Sequence, residues 1–155
     1  VRGLVLINSG PGFKRPESRE RWKQTWERAA DKLERVGIAG YLEGPRAAAE
    51  ILGRDPDSPA AQTARAGVLR SDPAALARFA RGVAAPQPDL TGRLGEIRVP
   101  ALVLCGAEDP AFHAAGELLE ARLPRARRVL VPGAGHALPL DAPAALLREL
   151  RAFLG

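Results

Sequence analysis

An acid and an imidazole each stand behind glycine at the end of a short apolar run. Gly106-Ala107-Glu108-Asp109 follows Ala101 to Cys105, and Pro132-Gly133-Ala134-Gly135-His136 follows Arg128 to Val131. A buried carboxylate that accepts the Nδ1 proton of an imidazole fixes its tautomer, leaves Nε2 free as a general base and stabilises the imidazolium that forms. Asp109 and His136 are therefore the candidate catalytic pair, with Glu108 as the alternative carboxylate. Glycines ahead of His136 let its backbone turn back sharply over the strand end. The other histidine, His113, directly follows Phe112 without a partner motif and reads as a surface or packing residue.

Three runs are continuous and branched rather than alternating, the pattern of strands buried on both faces of a parallel sheet: Leu4 to Asn8, Ala101 to Cys105 and Arg128 to Val131. Each ends in a glycine-bearing loop, and in open α/β sheets ligands bind at the carboxyl ends of the strands. Between the second and third runs, Ala111 to Leu123 reads as a helix, with Pro110 at its first position, Asp109 able to cap it and Pro124 ending it. Asp141-Ala142-Pro143 opens a final helix whose Leu146, Leu147, Leu150, Phe153 and Leu154 form an apolar face. The middle of the chain carries no convincing strand. Prolines 16, 45, 56, 59, 73, 86 and 88 divide it into about four helices. The first, Glu17 to Val36, puts Trp22 and Trp26 on one face; the last, opened by Ser71-Asp72-Pro73, carries Leu76, Phe79 and Val83 at helical spacing.

Composition narrows the classes. A chain of 155 residues, 46% hydrophobic and 26% charged, is sized for one domain with a core. No apolar run approaches the roughly 18 residues of a membrane span, and no basic leader with a small-residue cleavage site precedes Leu4, so a soluble protein without a secretory signal is expected. The single cysteine, Cys105, has no internal disulfide partner and is expected to pack as a small hydrophobe, in keeping with a reducing cytoplasm. The net charge of +5 comes mostly from scattered arginines with only 5% aromatics, which argues for solvated helix surfaces and against nucleic-acid binding. No metal-ligand cluster, phosphate-binding glycine loop or dinucleotide fingerprint is present, so no cofactor or metal is implied.

Val99-Pro100-Ala101-Leu102-Val103-Leu104-Cys105-Gly106-Ala107-Glu108-Asp109 resembles the acid-bearing strand of α/β-hydrolases, and Pro132-Gly133-Ala134-Gly135-His136 resembles their histidine loop. The opening Val1 to Ser9 is similar to the strand that follows the nucleophile helix of that family. The resemblance is strongest over residues 97 to 155, and its flavour is that of small esterases and of 3-oxoadipate enol-lactonases. It implies an α/β fold, the C-terminal part of a hydrolase sheet of about three parallel strands. Residues 1–13 and 90–155 would form the core and 14–89 an inserted helical cap.

The resemblance further implies Asp109 as catalytic acid and His136 as base. Trp22 and Trp26 read as the face by which the cap packs down, with the lining of a small substrate that has an apolar part as the alternative for Trp26; Phe13 and Leu138, beside the strand-end loops, read the same two ways. The family's Gly-x-Ser-x-Gly elbow is absent from these residues. In family order the elbow and the oxyanion loop precede residue 1, so the chain is expected to be inactive alone. Ser9, Asp109 and His136 do follow the family's Ser–Asp–His order, but Ser9 has no glycine two positions before it, and Gly10-Pro11-Gly12 breaks a helix instead of starting one. Without its flanking strands, the run from Leu4 to Asn8 would leave an apolar edge open to another chain. The alternative is therefore a hydrolase-like interaction module that pairs, for instance with a second copy, through that edge.

Overall fold

The computed structural model describes residues 1–155. Its centre is a three-stranded parallel sheet in the order β1-β2-β3, formed by Leu4–Ile7, Ala101–Gly106 and Ala126–Val131. Leu4 pairs with Ala101 and Ile7 with Leu104; on the other side of β2, Ala101 pairs with Ala126 and Gly106 with Val131. The middle strand, β2, is buried at all six positions, which explains its continuous apolar run. Both outer strands are edges. All four residues of β1 are only half-buried.

Alternate residues of β2 feed two separate cores, as the two-residue period of a strand requires. Ala101, Val103 and Cys105 pack with Leu94, Leu119 and Leu123 beneath α5 (His113–Arg122). Leu102 and Leu104 pack on the opposite face with Val131, Ala134, Leu138 and Leu146. That second face is covered by α6 (Leu138–Asp141) and α7 (Pro143–Leu154), with Leu150 and Phe153 packed against it.

Between β1 and β2 lies a helical insertion: α1 (Pro16–Leu42), α2 (Pro45–Leu52), α3 (Pro59–Val68) and α4 (Pro73–Phe79). It owns a third core of eight buried residues, among them Ala30, Leu33, Leu42 and Leu52. All four helices begin with proline at the first turn, where its missing N–H costs nothing. Ser58 and Asp72 cap α3 and α4, accepting from the backbone N–H of Ala61 and Ala74. No helix is long and apolar enough to cross a membrane.

Several local expectations are corrected. The α1 helix is interrupted at Gly37, where φ is 68°, so the stretch expected to end at Val36 continues beyond the break to Leu42. The face expected from Leu76, Phe79 and Val83 does not form. Ala80–Ala84 winds as a π-turn, which shifts the helical phase, burying Ala80 and Ala84 and leaving Phe79 and Val83 more than half exposed. Asp109 does not cap the helix after it; Pro110–Phe112 is a 3₁₀ turn, and α5 starts only at His113. Asp141 likewise leaves α7 uncapped, and the short α6 ahead of it gave no sequence signal. On α7, Leu146 is buried and Leu150 and Phe153 pack, but Leu147 and Leu154 face outward.

Candidate active site

Asp109 leaves the end of β2 and His136 the end of β3, strands that lie side by side. His136 Nδ1 stands 2.8 Å from Asp109 Oδ2, and the Asp109 side chain keeps only 11% of its surface against 35% for His136. An ionised carboxylate can only accept, so this bond requires the proton on Nδ1. In the neutral ring Nε2 is then an acceptor, carried by the more exposed of the two side chains. The Phe112 ring lies 5.0 Å from the imidazole, tilted by 36°, and restricts how it can turn.

Backbone bonds tie the two loops together. Glu108 N–H donates to Ala134 O at 2.9 Å, and Asp109 N–H to Gly106 O at 3.1 Å. Glu108 thus serves through its backbone, while it is the Asp109 carboxylate that meets the imidazole. Beneath both loops sits Asn8, 6% exposed and the one buried polar residue of the core. Its Oδ1 accepts from Gly106 N–H at 2.9 Å, and its Nδ2 donates to Gly135 O at 2.9 Å and His136 O at 2.8 Å. Asn8 has φ 41°, a left-handed conformation that asparagine adopts more readily than most side chains. In the sequence Asn8 stands out only as a polar residue closing an apolar run, which by itself assigns it no role.

The helical insertion touches this site through a second clamp. Asp141 Oδ2 accepts from Gly135 N–H, next to His136, while Oδ1 accepts from Arg54 N–H, both at 2.7 Å. Arg54 Nη1 also donates to Gly133 O at 3.1 Å. Gly53 makes the approach feasible: its φ is +79°, and an added Cβ would stand 2.5 Å from Asp141 Oδ1. Gly53→Ala is therefore expected to lower stability by about 1–3 kcal/mol, read from the midpoint of chemical denaturation. A change below about 0.5 kcal/mol would mean that the insertion does not seat on the histidine loop in this way.

The remaining candidates scatter. Ser9 Oγ is buried and has no hydrogen-bond partner, so it does not bond to His136. Phe13 packs on Trp22 at 5.4 Å between ring centres and lines a cleft of about 560 Å³, shared with Lys14, Ala115 and Arg122, that does not reach Asp109 or His136. Trp22 donates its Nε1–H to Ala84 O, and Trp26, 5.8 Å from Trp22, packs against the core of the insertion. Leu138 has no exposed surface; it fills the core under the histidine loop and offers nothing to a bound molecule. The ring beside His136 is instead Phe112, three residues past Asp109, which sequence reasoning passed over. His113 is structural, with Nε2–H donating to Gly106 O at 3.0 Å. Cys105 is fully buried, and that burial pushes its thiol up from the ordinary value, so it makes no nucleophile at neutral pH.

Known proteins show the same arrangement of chain. The "Putative 2-succinyl-6-hydroxy-2,4-cyclohexadiene-1-carboxylate synthase" of Bacillus subtilis (strain 168) is 31% identical over 166 residues, covering 99% of this chain and 57% of that protein. Among solved structures, MenH from S. aureus superposes with a TM-score of 0.86 at 22% identity, over 99% of this chain and 59% of the other. A thermophilic esterase from Thermogutta terrifontis follows with a TM-score of 0.80 at 25% identity, over 99% and 55%. The chain thus spans a little over half the length of the relatives it matches. The Alpha/beta hydrolase family model matches residues 1–149, and with the parallel sheet and the loops just described, the chain belongs to the alpha/beta hydrolase family.

Proposed function

We propose that this chain carries the base and the orienting acid of a serine-type hydrolase that cleaves an ester, lactone or similar bond in a small molecule with an apolar part. The observation that carries the reading is the 2.8 Å contact between His136 Nδ1 and a largely buried Asp109 carboxylate at neighbouring strand ends. His136 Nε2 takes the proton of the attacking hydroxyl and returns it to the leaving group; Asp109 holds the tautomer and stabilises the imidazolium. The helical insertion, residues 14–89, acts as a cap on a core of residues 1–13 and 90–155. The protein works in the cytoplasm.

The nucleophile in this reading is not among the 155 residues. Ser9 has a buried, unbonded hydroxyl and no elbow around it. A fluorophosphonate serine probe, followed by peptide mass spectrometry with a His136→Ala control, is expected to leave the folded chain unlabelled. An adduct on Ser9 that disappears in His136→Ala would overturn this and make the chain a self-contained serine hydrolase. In the absence of nucleophile and oxyanion donors, ester turnover by the chain alone should be close to background.

Two other readings have an observation behind them. The relative at 31% identity is named for 2-succinyl-6-hydroxy-2,4-cyclohexadiene-1-carboxylate synthesis, and the same pair could serve that activity. Product analysis with the synthase's substrate and with a panel of simple esters separates the two. The half-buried apolar edge of β1 supports an interaction module instead. A monodisperse dimer in solution that an edge charge such as Val5→Lys dissociates would favour it.

A further inference from the structure

We infer that Asn8 is a positioning residue for the His136–Asp109 pair, setting the imidazole's tautomer and aim through the backbone of both loops. The inference rests on the proposed roles of that pair. Its physical basis is that a single carboxamide is shared by the two arms of the site. The Asn8 oxygen holds Gly106 N–H, three residues before Asp109, and its nitrogen holds the carbonyls of Gly135 and of His136 itself. The amide therefore fixes the distance between the strand that delivers the acid and the turn that delivers the base.

Beside the Asp109–His136 bond itself, no other side-chain hydrogen bond joins the two loops. The Asp141 clamp reaches only the histidine loop, and the Glu108–Ala134 bond joins the loops by backbone alone. The chemistry is specific to asparagine. Aspartate keeps the acceptor for Gly106 N–H but, when ionised, has no proton for the two carbonyls. Glycine suits φ 41° and removes the amide, which separates the backbone's conformational need from the side chain's bonds. A buried amide satisfied at both ends is also costly to disturb, since each lost partner strands a desolvated group.

The chain has only two histidines, so their ring signals can be told apart by a His113→Gln variant. The test is ¹⁵N-edited NMR of the 155-residue chain as wild type, Asn8→Asp, Asn8→Gly and Asp109→Asn. Wild type should show His136 as the Nδ1–H tautomer, with a deshielded Nδ1 proton and slowly exchanging Asn8 side-chain amide protons. Both Asn8 variants should lose the deshielded proton and show mixed tautomers in the folded fraction, with His113 unchanged.

Asn8 variants that keep the wild-type His136 signature, while only their melting temperature falls, would show a structural role and overturn the inference. Fast exchange of the wild-type Asn8 amide would do the same without any variant. If Asp109→Asn removes the signature and the Asn8 variants do not, the pair stands and this inference falls. If wild type itself lacks the signature, the pair reading fails first and this one with it.

Discussion

Asp109→Asn should reduce kcat about ten-thousand-fold in any assembly that supplies the nucleophile, in one polypeptide or as a second chain, with KM little changed. The asparagine fills the same space. Its amide nitrogen, however, can turn toward Nδ1 as a donor, which favours the tautomer with the proton on Nε2, and an Nε2–H cannot accept a proton from a hydroxyl. The imidazolium of the transition state also loses the anion 2.8 Å from its Nδ1. Both losses act on the step and not on binding, so kcat and kcat/KM should fall together. His136→Ala should cost at least as much. A variant with Asp109→Asn that retained more than about a tenth of wild-type kcat would show that Asp109 is a loop residue with no part in the chemistry.

Gly106→Ala is the substitution expected to damage the fold most for its size. A methyl group there would collide with the carbonyl oxygens of Ala134 and Gly135, and these are backbone atoms that cannot rotate away as a side chain could. Relief requires the whole histidine loop to lift from β2, giving up the Glu108–Ala134 bond and the Asn8 contacts to Gly135 and His136. The cost is about 4 kcal/mol or more, which for a domain of this size lowers Tm by roughly 10–15 °C. Gly67→Ala, within α3 and with nothing inside 4 Å of the added Cβ, is the control; it should be neutral or stabilising by about 0.5–1 kcal/mol. A Gly106→Ala protein that melted within two or three degrees of wild type would mean the histidine loop does not sit on Gly106.

How much of this was legible in the sequence depended on whether the signal was local. The middle strand announced itself because burial on both faces leaves an unbroken apolar run, whereas β1 and β3, edge strands that are only partly buried, were legible from branched residues ahead of glycine-bearing loops. Asp109 and His136 were legible because glycine-bearing loops behind such runs end at one edge of a parallel sheet. Proline marked all four starts of the insertion's helices. What failed was long-range or depended on phase. Phe79 and Val83 keep helical spacing on paper, yet one π-turn rotates them outward. Leu138 stands two residues after His136, but the chain dives there and buries it under the loop. Asn8 contacts residues 98 to 128 positions away, and no spacing rule reaches that far.

The three cores described above do not merge: the insertion buries its own residues, and the sheet's two faces bury theirs. Such a molecule can change its insertion side chain by side chain, even helix by helix, without altering the strand ends that hold Asp109 and His136. The exchange has a condition, for a clamp between them runs from Gly53 and Arg54 to Asp141 and the loop beside His136. A lineage, or an engineer, is free to redraw the insertion's interior as long as a glycine and a backbone N–H arrive at that carboxylate.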